Sequence, residues 1–122
     1  MDPGIQRLRI KQIKNGLTIL MVSRGIPMIL AGDEMGNTQF GNNNAYCHDN
    51  EISWIHWGNL EKHKEIVHFA QKIIAFRKAH PVLRGKHHFR EIDYMGSGYP
   101  DISWHGEKAW YADWSSGSRE IA

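Results

Sequence analysis

Apolar residues recur at helical spacing in two stretches of the chain and run together without spacing in a third. Within residues 5–23, Ile10, Ile13, Leu17 and Leu20 mark one face of a helix, and Arg7, Arg9, Lys11 and Lys14 fill much of the remaining circumference. Gly16 weakens this helix by about 1 kcal/mol relative to Ala. Leu17 to Val22 is apolar nearly all round, which predicts burial on more than one side. Gly25 is placed to end the helix and Pro27 to stop it. A second helix is predicted over residues 60–80. Ile66, Phe69, Ala70, Ile73 and Ile74 form its stripe with Phe76 beside it, Asn59 is a candidate N-cap, Glu61 lies in the first turn, and Pro81 ends it near His80.

Between them, Met28-Ile29-Leu30-Ala31 is a short apolar run without alternation, the pattern of a strand over 26–31 buried on both faces of a parallel sheet. Pro27 is acceptable near its start. Gly32-Asp33-Glu34 then stands at the carboxyl end of the strand, where parallel α/β folds bind ligands. Residues 32–59 show no period. A loop this long is usually functional or disordered, and Phe40, Tyr46, Trp54 and Trp57 are not a disordered composition. Beyond Pro81 the pattern becomes β-like. Residues 89–94 read as a strand and 96–100 as a turn. Ile102 and Trp104 alternate, Gly106-Glu107 suits a two-residue turn, and Trp110, Ala112 and Trp114 alternate again, which predicts a hairpin over 101–114. Residues 119–122 resemble the opening of another strand. The boundary between the α/β part, 1–84, and the β part, 85–122, is expected within 81–88.

The chain has 122 residues, 41% apolar and 23% charged, a globular composition. It is too short for a complete (β/α)₈ barrel of about 250 residues. It has no run of about 18 apolar residues to cross a membrane, and its first residues do not resemble a signal peptide. The net charge of +2, from 15 basic and 13 acidic residues, does not predict a nucleic-acid partner. Its distribution says more. Residues 25–60 contain no Lys or Arg but hold Asp33, Glu34, Asp49, Glu51 and a cluster of Asn, which suits a neutral, hydroxyl-rich ligand. A single cysteine, Cys47, cannot form an internal disulfide, and a reduced, cytoplasmic setting is expected.

Asp33 and Glu34 are adjacent. Neighbours on a strand point to opposite faces, so they are read as acceptors of loop N–H groups rather than as an acid/base pair. Asn42, Asn43 and Asn44 offer donor and acceptor together, as a sugar hydroxyl does, and Tyr46 offers a flat face. The same Asn side chains could instead brace the loop backbone. Trp54 and Trp57 are read as packing residues before sugar platforms. Cys47-His48 lacks the geometry of a nucleophile and base, and His87, His88 and His105 lack zinc spacing. No metal and no cofactor is expected.

Gly25-Ile26-Pro27-Met28-Ile29-Leu30-Ala31-Gly32-Asp33-Glu34, followed by Gly41-Asn42-Asn43-Asn44-Ala45-Tyr46-Cys47-His48-Asp49-Asn50-Glu51-Ile52-Ser53-Trp54, closely resembles the isoamylase and glycogen-debranching branch of the α-amylase superfamily. Ile73-Ile74-Ala75-Phe76-Arg77-Lys78-Ala79-His80-Pro81-Val82-Leu83-Arg84 resembles its last barrel helix. Met35 stands where that family carries an aromatic, His48 where it carries Gln, and His56 where it carries Asp. The resemblance implies an α+β or α/β fragment, comprising the last helix–strand–helix portion of a TIM barrel and a β-hairpin of a C-terminal β-sandwich. It makes 5–23 the seventh barrel helix, 26–31 the eighth strand and 32–59 its substrate-side loop. Asp33, Glu34, Asn42, Asn43, Asn44, Tyr46, Asp49 and Trp54 are thereby candidates for contact with α-glucan.

The resemblance also implies retaining hydrolysis of α-1,6 branch linkages by two carboxylates about 5 Å apart. The family takes these, and a further Asp, from strands expected before residue 1, so no catalytic residue is assigned in this chain. The short length reads as a cut, with a non-catalytic α-glucan-binding module or an inert fragment as alternatives. A lone parallel strand with unpaired edges predicts self-association.

Overall fold

Helix α1 spans Pro3–Val22, starting two residues before the sequence pattern places it. Pro3 opens it, where the missing N–H has no intrahelical partner to lose, and the Asp2 carboxylate accepts the Gly4 N–H. At the other end, Ser23 donates both its N–H (3.0 Å) and its hydroxyl (2.6 Å) to the Ile19 carbonyl, and Gly25 turns the chain at φ +99°. The second expected helix is divided in two, α2 (Asn59–Lys62) and α3 (Lys64–Ala79). Asn59 lies inside α2, whose N-cap position is held by Gly58. His63 leaves helical backbone space at φ −119°, ψ 36°, and its carbonyl accepts the N–H groups of Ile66 and Val67 at 2.9 and 3.2 Å. It thus serves as the backbone cap of α3. Short 3₁₀ turns occupy Asp33–Met35 and Pro81–Arg84.

The computed structural model describes residues 2–106, 108–112 and 114, in two compact units, Met1–Gly85 and Lys86–Ala122. In the first, α1 packs on α3. Leu17, Ile66 and Ala70 form the centre, with Ile10, Ile13, Ile29 and Phe69 against it; all but Ile29 are positions the helical spacing selects. Burying each large side chain of this kind contributes about 1.5–3 kcal/mol. Among the described residues no helix is long and apolar enough to cross a membrane.

The two helices are tied by a buried cation. Arg77, 6% exposed, donates from Nη1 to the carbonyls of Met21 (2.6 Å) and Ser23 (2.7 Å), and from Nη2 to that of Gly25 (2.6 Å). These carbonyls lie at and just beyond the α1 C-terminus, where the last turn has no intrahelical donors and carries the negative end of the macrodipole. Helix α1 has no basic residue in its own last turn, so α3 supplies the charge.

The expected strand over 26–31 is not a strand. Its backbone bonds no neighbouring strand, and its side chains alternate in exposure. Ile26 (92% exposed) and Met28 (84%) face outward, while Ile29 packs on the core. One face is buried rather than two, because no second strand in the first unit lies beside it.

The expected strand 89–94 and the strands of the hairpin 101–114 also do not form among the described residues. Among the described residues the sole ladder contact is an antiparallel bridge between Lys108 and Tyr111. Its turn is at Ala109-Trp110, where Gly106-Glu107 was expected; Glu107 and the expected strand 119–122 lie outside the described residues. Asp101 takes donors that the strand 89–94 would need, the N–H groups of Arg90 and Glu91 (both 2.9 Å), while Asp93 closes the 96–100 turn by accepting those of Ser97 (2.9 Å) and Gly98 (2.6 Å).

Candidate functional site

The segment that follows Leu30 begins with a tight reversal built on two glycines. Gly32 is buried at φ +103°. A Cβ there would sit 2.7 Å from Asn37 Cβ, so only glycine suits both the backbone and the space. The Gly32 carbonyl accepts the N–H groups of Met35 (3.0 Å) and Asn37 (2.9 Å), and its own N–H donates to Glu34 Oε2 at 2.9 Å. Gly36 closes the turn at φ +67°. Met35 is driven inward to 2% exposure as the turn packs on α3, so the thioether fills the place the family resemblance gives to an aromatic.

Asp33 and Glu34 therefore have different surroundings. Glu34 closes the turn on itself, while Asp33 is exposed and borders a cavity of about 290 Å³ shared with Ile13, Leu17, Leu20, Met28, Ile29 and Asn37. Asn37 Oδ1 is a buried acceptor without a hydrogen-bond partner.

The loop beyond is held by its own polar side chains. Asn42 Oδ1 accepts the Asn44 N–H (2.8 Å), Asn44 Oδ1 the Tyr46 N–H (3.0 Å), and Asn50 Oδ1 the Ile52 N–H (3.0 Å). Each is a carboxamide mimicking a backbone turn. Trp54 Nε1–H donates to Asp49 Oδ1 at 2.9 Å, and the Ser53 hydroxyl donates to the His48 carbonyl. His56 Nε2 lies 2.9 Å from the Glu51 carbonyl, and its ring meets Phe40 edge-on at 5.6 Å. Phe40 and Cys47 take left-handed backbone conformations, at φ +53° and +61°.

The eight sequence candidates thus divide. The carboxamide oxygens of Asn42 and Asn44 brace the loop, which leaves the NH₂ of each to donate. Asp49 and Trp54 are bonded to one another. Asn43 and Tyr46 stand exposed, Tyr46 at 81%, and Trp57 is exposed beyond them. A surface of amide donors and a phenol with no converging charge suits reversible contact with neutral hydroxyls. It holds no carboxylate pair set for proton transfer.

Sequence reasoning missed Asn50 as a brace and Arg77 as the anchor of the whole segment. Arg77 had a readable signal. It falls on the Ile66, Ala70 and Ile73 stripe of α3, where a cation in an apolar row needs a partner.

No protein-family model matches the chain. Its sequence is 42% identical over 120 residues, 95% of the chain, to a glycogen operon protein GlgX homolog of Mycobacterium bovis. It is 34% identical over 123 residues, 98% of the chain, to the chloroplastic isoamylase 1 of Oryza sativa subsp. japonica. It is 37% identical over 108 residues, 86% of the chain, to the glycogen debranching enzyme of Dickeya chrysanthemi. The chain spans 17%, 14% and 15% of those relatives' lengths respectively. Over the stretch it shares with them, the chain belongs to the isoamylase and glycogen-debranching branch of the α-amylase superfamily.

Proposed function

We propose that these residues serve a debranching glycoside hydrolase that cleaves α-1,6 branch linkages of glycogen- or starch-type α-glucan in the cytoplasm, and that 32–59 is its substrate-side loop. The observation that carries this is the 34–42% identity, across most of the chain, to proteins named for glycogen debranching and isoamylase. The barrel assignment draws on the sequence resemblance: α1 corresponds to the seventh barrel helix and α3 to the last, and 26–31, extended but unpaired in this structure, stands at the position of the eighth strand. Residues 85–122 begin the C-terminal β domain. In this reading Asn43, Tyr46 and the NH₂ groups of Asn42 and Asn44 meet sugar hydroxyls, Asp49 orients Trp54, and Glu34 shapes the turn that launches the loop. The acid and the nucleophile come from elsewhere in the enzyme.

The 122-residue chain alone is accordingly inactive. Purified chain should release no reducing ends from amylopectin, and turnover above a blank that vanishes in Asp33→Asn would overturn the assignment of roles. Maltoheptaose should still produce a saturable change in tryptophan fluorescence, weakened in a Tyr46→Ala, Asn43→Ala double variant. A second reading, a non-catalytic α-glucan-binding module, draws on the same exposed Tyr46 and Trp57; the absence of any saturable change removes it. The unpaired backbone and outward Ile26 and Met28 also favour self-association of the isolated chain, and a strict monomer in sedimentation at high concentration would count against that.

A further inference from the structure

The second unit carries an aromatic cluster that the debranching loop does not explain. Tyr99, Trp104, Trp110 and Trp114 are all exposed, Trp110 at 58%, yet they are ordered against one another. Tyr99 and Trp110 stack with centroids 6.1 Å apart and planes 18° from parallel. His105 lies 5.0 Å from Trp110, and Trp104 meets Trp114 edge-on at 5.6 Å.

Trp110 is the informative residue. It sits at the tip of its turn at φ +67°, where a bulky side chain costs about 1–2 kcal/mol and where Gly or Asn would serve a turn alone. Its surroundings hold it there. Its N–H donates to His105 Nδ1 at 2.8 Å. On either side of it, Gly106 N–H donates to the Tyr111 carbonyl (2.8 Å) and Tyr111 N–H to that of Lys108 (3.2 Å). Backbone strain maintained by the surrounding bonds points to a use for the side chain it displays. That side chain is displayed to solvent.

The rim sets the ligand chemistry. Because His105 Nδ1 accepts a hydrogen bond, the ring's proton is on Nε2, which donates to Ser103 Oγ at 2.8 Å. The carboxylates of Asp93 and Asp101 in the same unit are filled by backbone N–H groups, so they are not poised for a cation. Among the described residues, the cluster offers flat aromatic faces edged by the Ser103 hydroxyl, the Tyr99 phenol and indole N–H groups. This matches a pyranose, whose ring has an apolar C–H face and a hydroxyl rim.

We propose that Tyr99 and Trp110, flanked by His105, form a stacking site for a glucose unit of an α-glucan chain, carried by the second unit rather than by the 32–59 loop. The choice of α-glucan rests on the function proposed above. The test is titration of the full chain with maltoheptaose while following the Nε1–H resonances of its five tryptophans by NMR. A saturable shift of Trp110 is expected, with at least a tenfold weaker Kd in Trp110→Gly, read from the Tyr99 ring resonances. Glycine at that position relieves the strained φ, so the variant should fold at least as well, and a preserved Tm distinguishes lost binding from lost structure. Tyr46→Ala should leave the Trp110 response intact. A Trp110 signal unmoved while Trp54 and Trp57 respond overturns this site and leaves the loop reading standing; the reverse pattern supports the site and removes the loop. Silence at all five removes both. Trp110 shifts that follow protein concentration without sugar would assign the cluster to a second copy of the chain and overturn the proposal.

Discussion

Replacing Arg77 tests how the first unit is held together. Met is the informative substitution, since it keeps much of the aliphatic stem and removes the charge and all donors. Three carbonyls lose their partner. The bond to Met21 is buried and those to Ser23 and Gly25 are half-buried, so water can replace the last two in part but not the first. An unsatisfied buried acceptor costs about 1–3 kcal/mol. A cation removed from a helix C-terminus in a partly buried geometry costs up to about 2 kcal/mol more. Against this, Met no longer has a guanidinium to desolvate. The bonds win because all three are short and charge-assisted, and the expected net loss is about 3 kcal/mol. Lysine keeps the charge but cannot fork across two directions, so Arg77→Lys should lose roughly half as much. Urea unfolding followed by far-UV circular dichroism measures both. Arg77→Met within about 0.5 kcal/mol of the parent, or Arg77→Lys as damaging as Arg77→Met, would refute the idea that the fork is what joins α3 to the end of α1.

Gly32→Ala should destabilise the chain by about 2 kcal/mol or more, combining a left-handed backbone with a Cβ 2.7 Å from Asn37 Cβ; the same denaturation experiment reads it, and a neutral result would mean that the turn can rebuild. Hydrogen bonds from the Ser97 and Gly98 backbone hold the Asp93 carboxyl below the ordinary aspartate range. A depressed folded-state pKa stabilises fully above the unfolded value of about 3.9 and is lost as pH falls through the lower folded value. The Ser97 and Gly98 amide resonances should therefore hold steady down to about pH 4 and move only below it, and Asp93→Asn should abolish that movement. The Lys14–Glu65 ion pair joins α1 to α3 at an exposed edge, so a double-mutant cycle should give no more than about 1 kcal/mol, falling with added salt.

The helices were legible because their information is local. Ile10, Ile13 and Leu17 on one helix and Ile66 and Ala70 on the other repeat at the period that makes one face, and those faces met. The β elements were misread because a strand's information is held half in its partner. Met28 to Ala31 has the composition of a doubly covered strand, but the described residues of the first unit cover one face alone. In the second unit Asp101 captures the N–H groups of Arg90 and Glu91 that the expected strand 89–94 would have given to a ladder. A carboxylate that takes two successive N–H groups removes them from any ladder. The split at His63 left no mark in the apolar spacing, since the stripe that defines α3 begins only at Ile66.

The loop shows why residue type alone left its chemistry open. An Asn has one oxygen and one NH₂, and bracing and sugar contact compete for them only if both need the same atom. In Asn42 and Asn44 the oxygen turns the backbone, while the NH₂ is left over. The two readings are thus compatible within one side chain, and the bracing role comes first because it fixes where the donor points. This makes Asn→Asp the discriminating change. An aspartate keeps the oxygen that closes the turn and replaces the donor with a second acceptor. Asn42→Asp and Asn44→Asp should therefore preserve the loop's backbone resonances while weakening maltoheptaose binding. If sugar binding survives both while the loop stays folded, these carboxamides only brace, and the sugar-contacting surface of the loop reduces to Asn43, Tyr46 and Trp57.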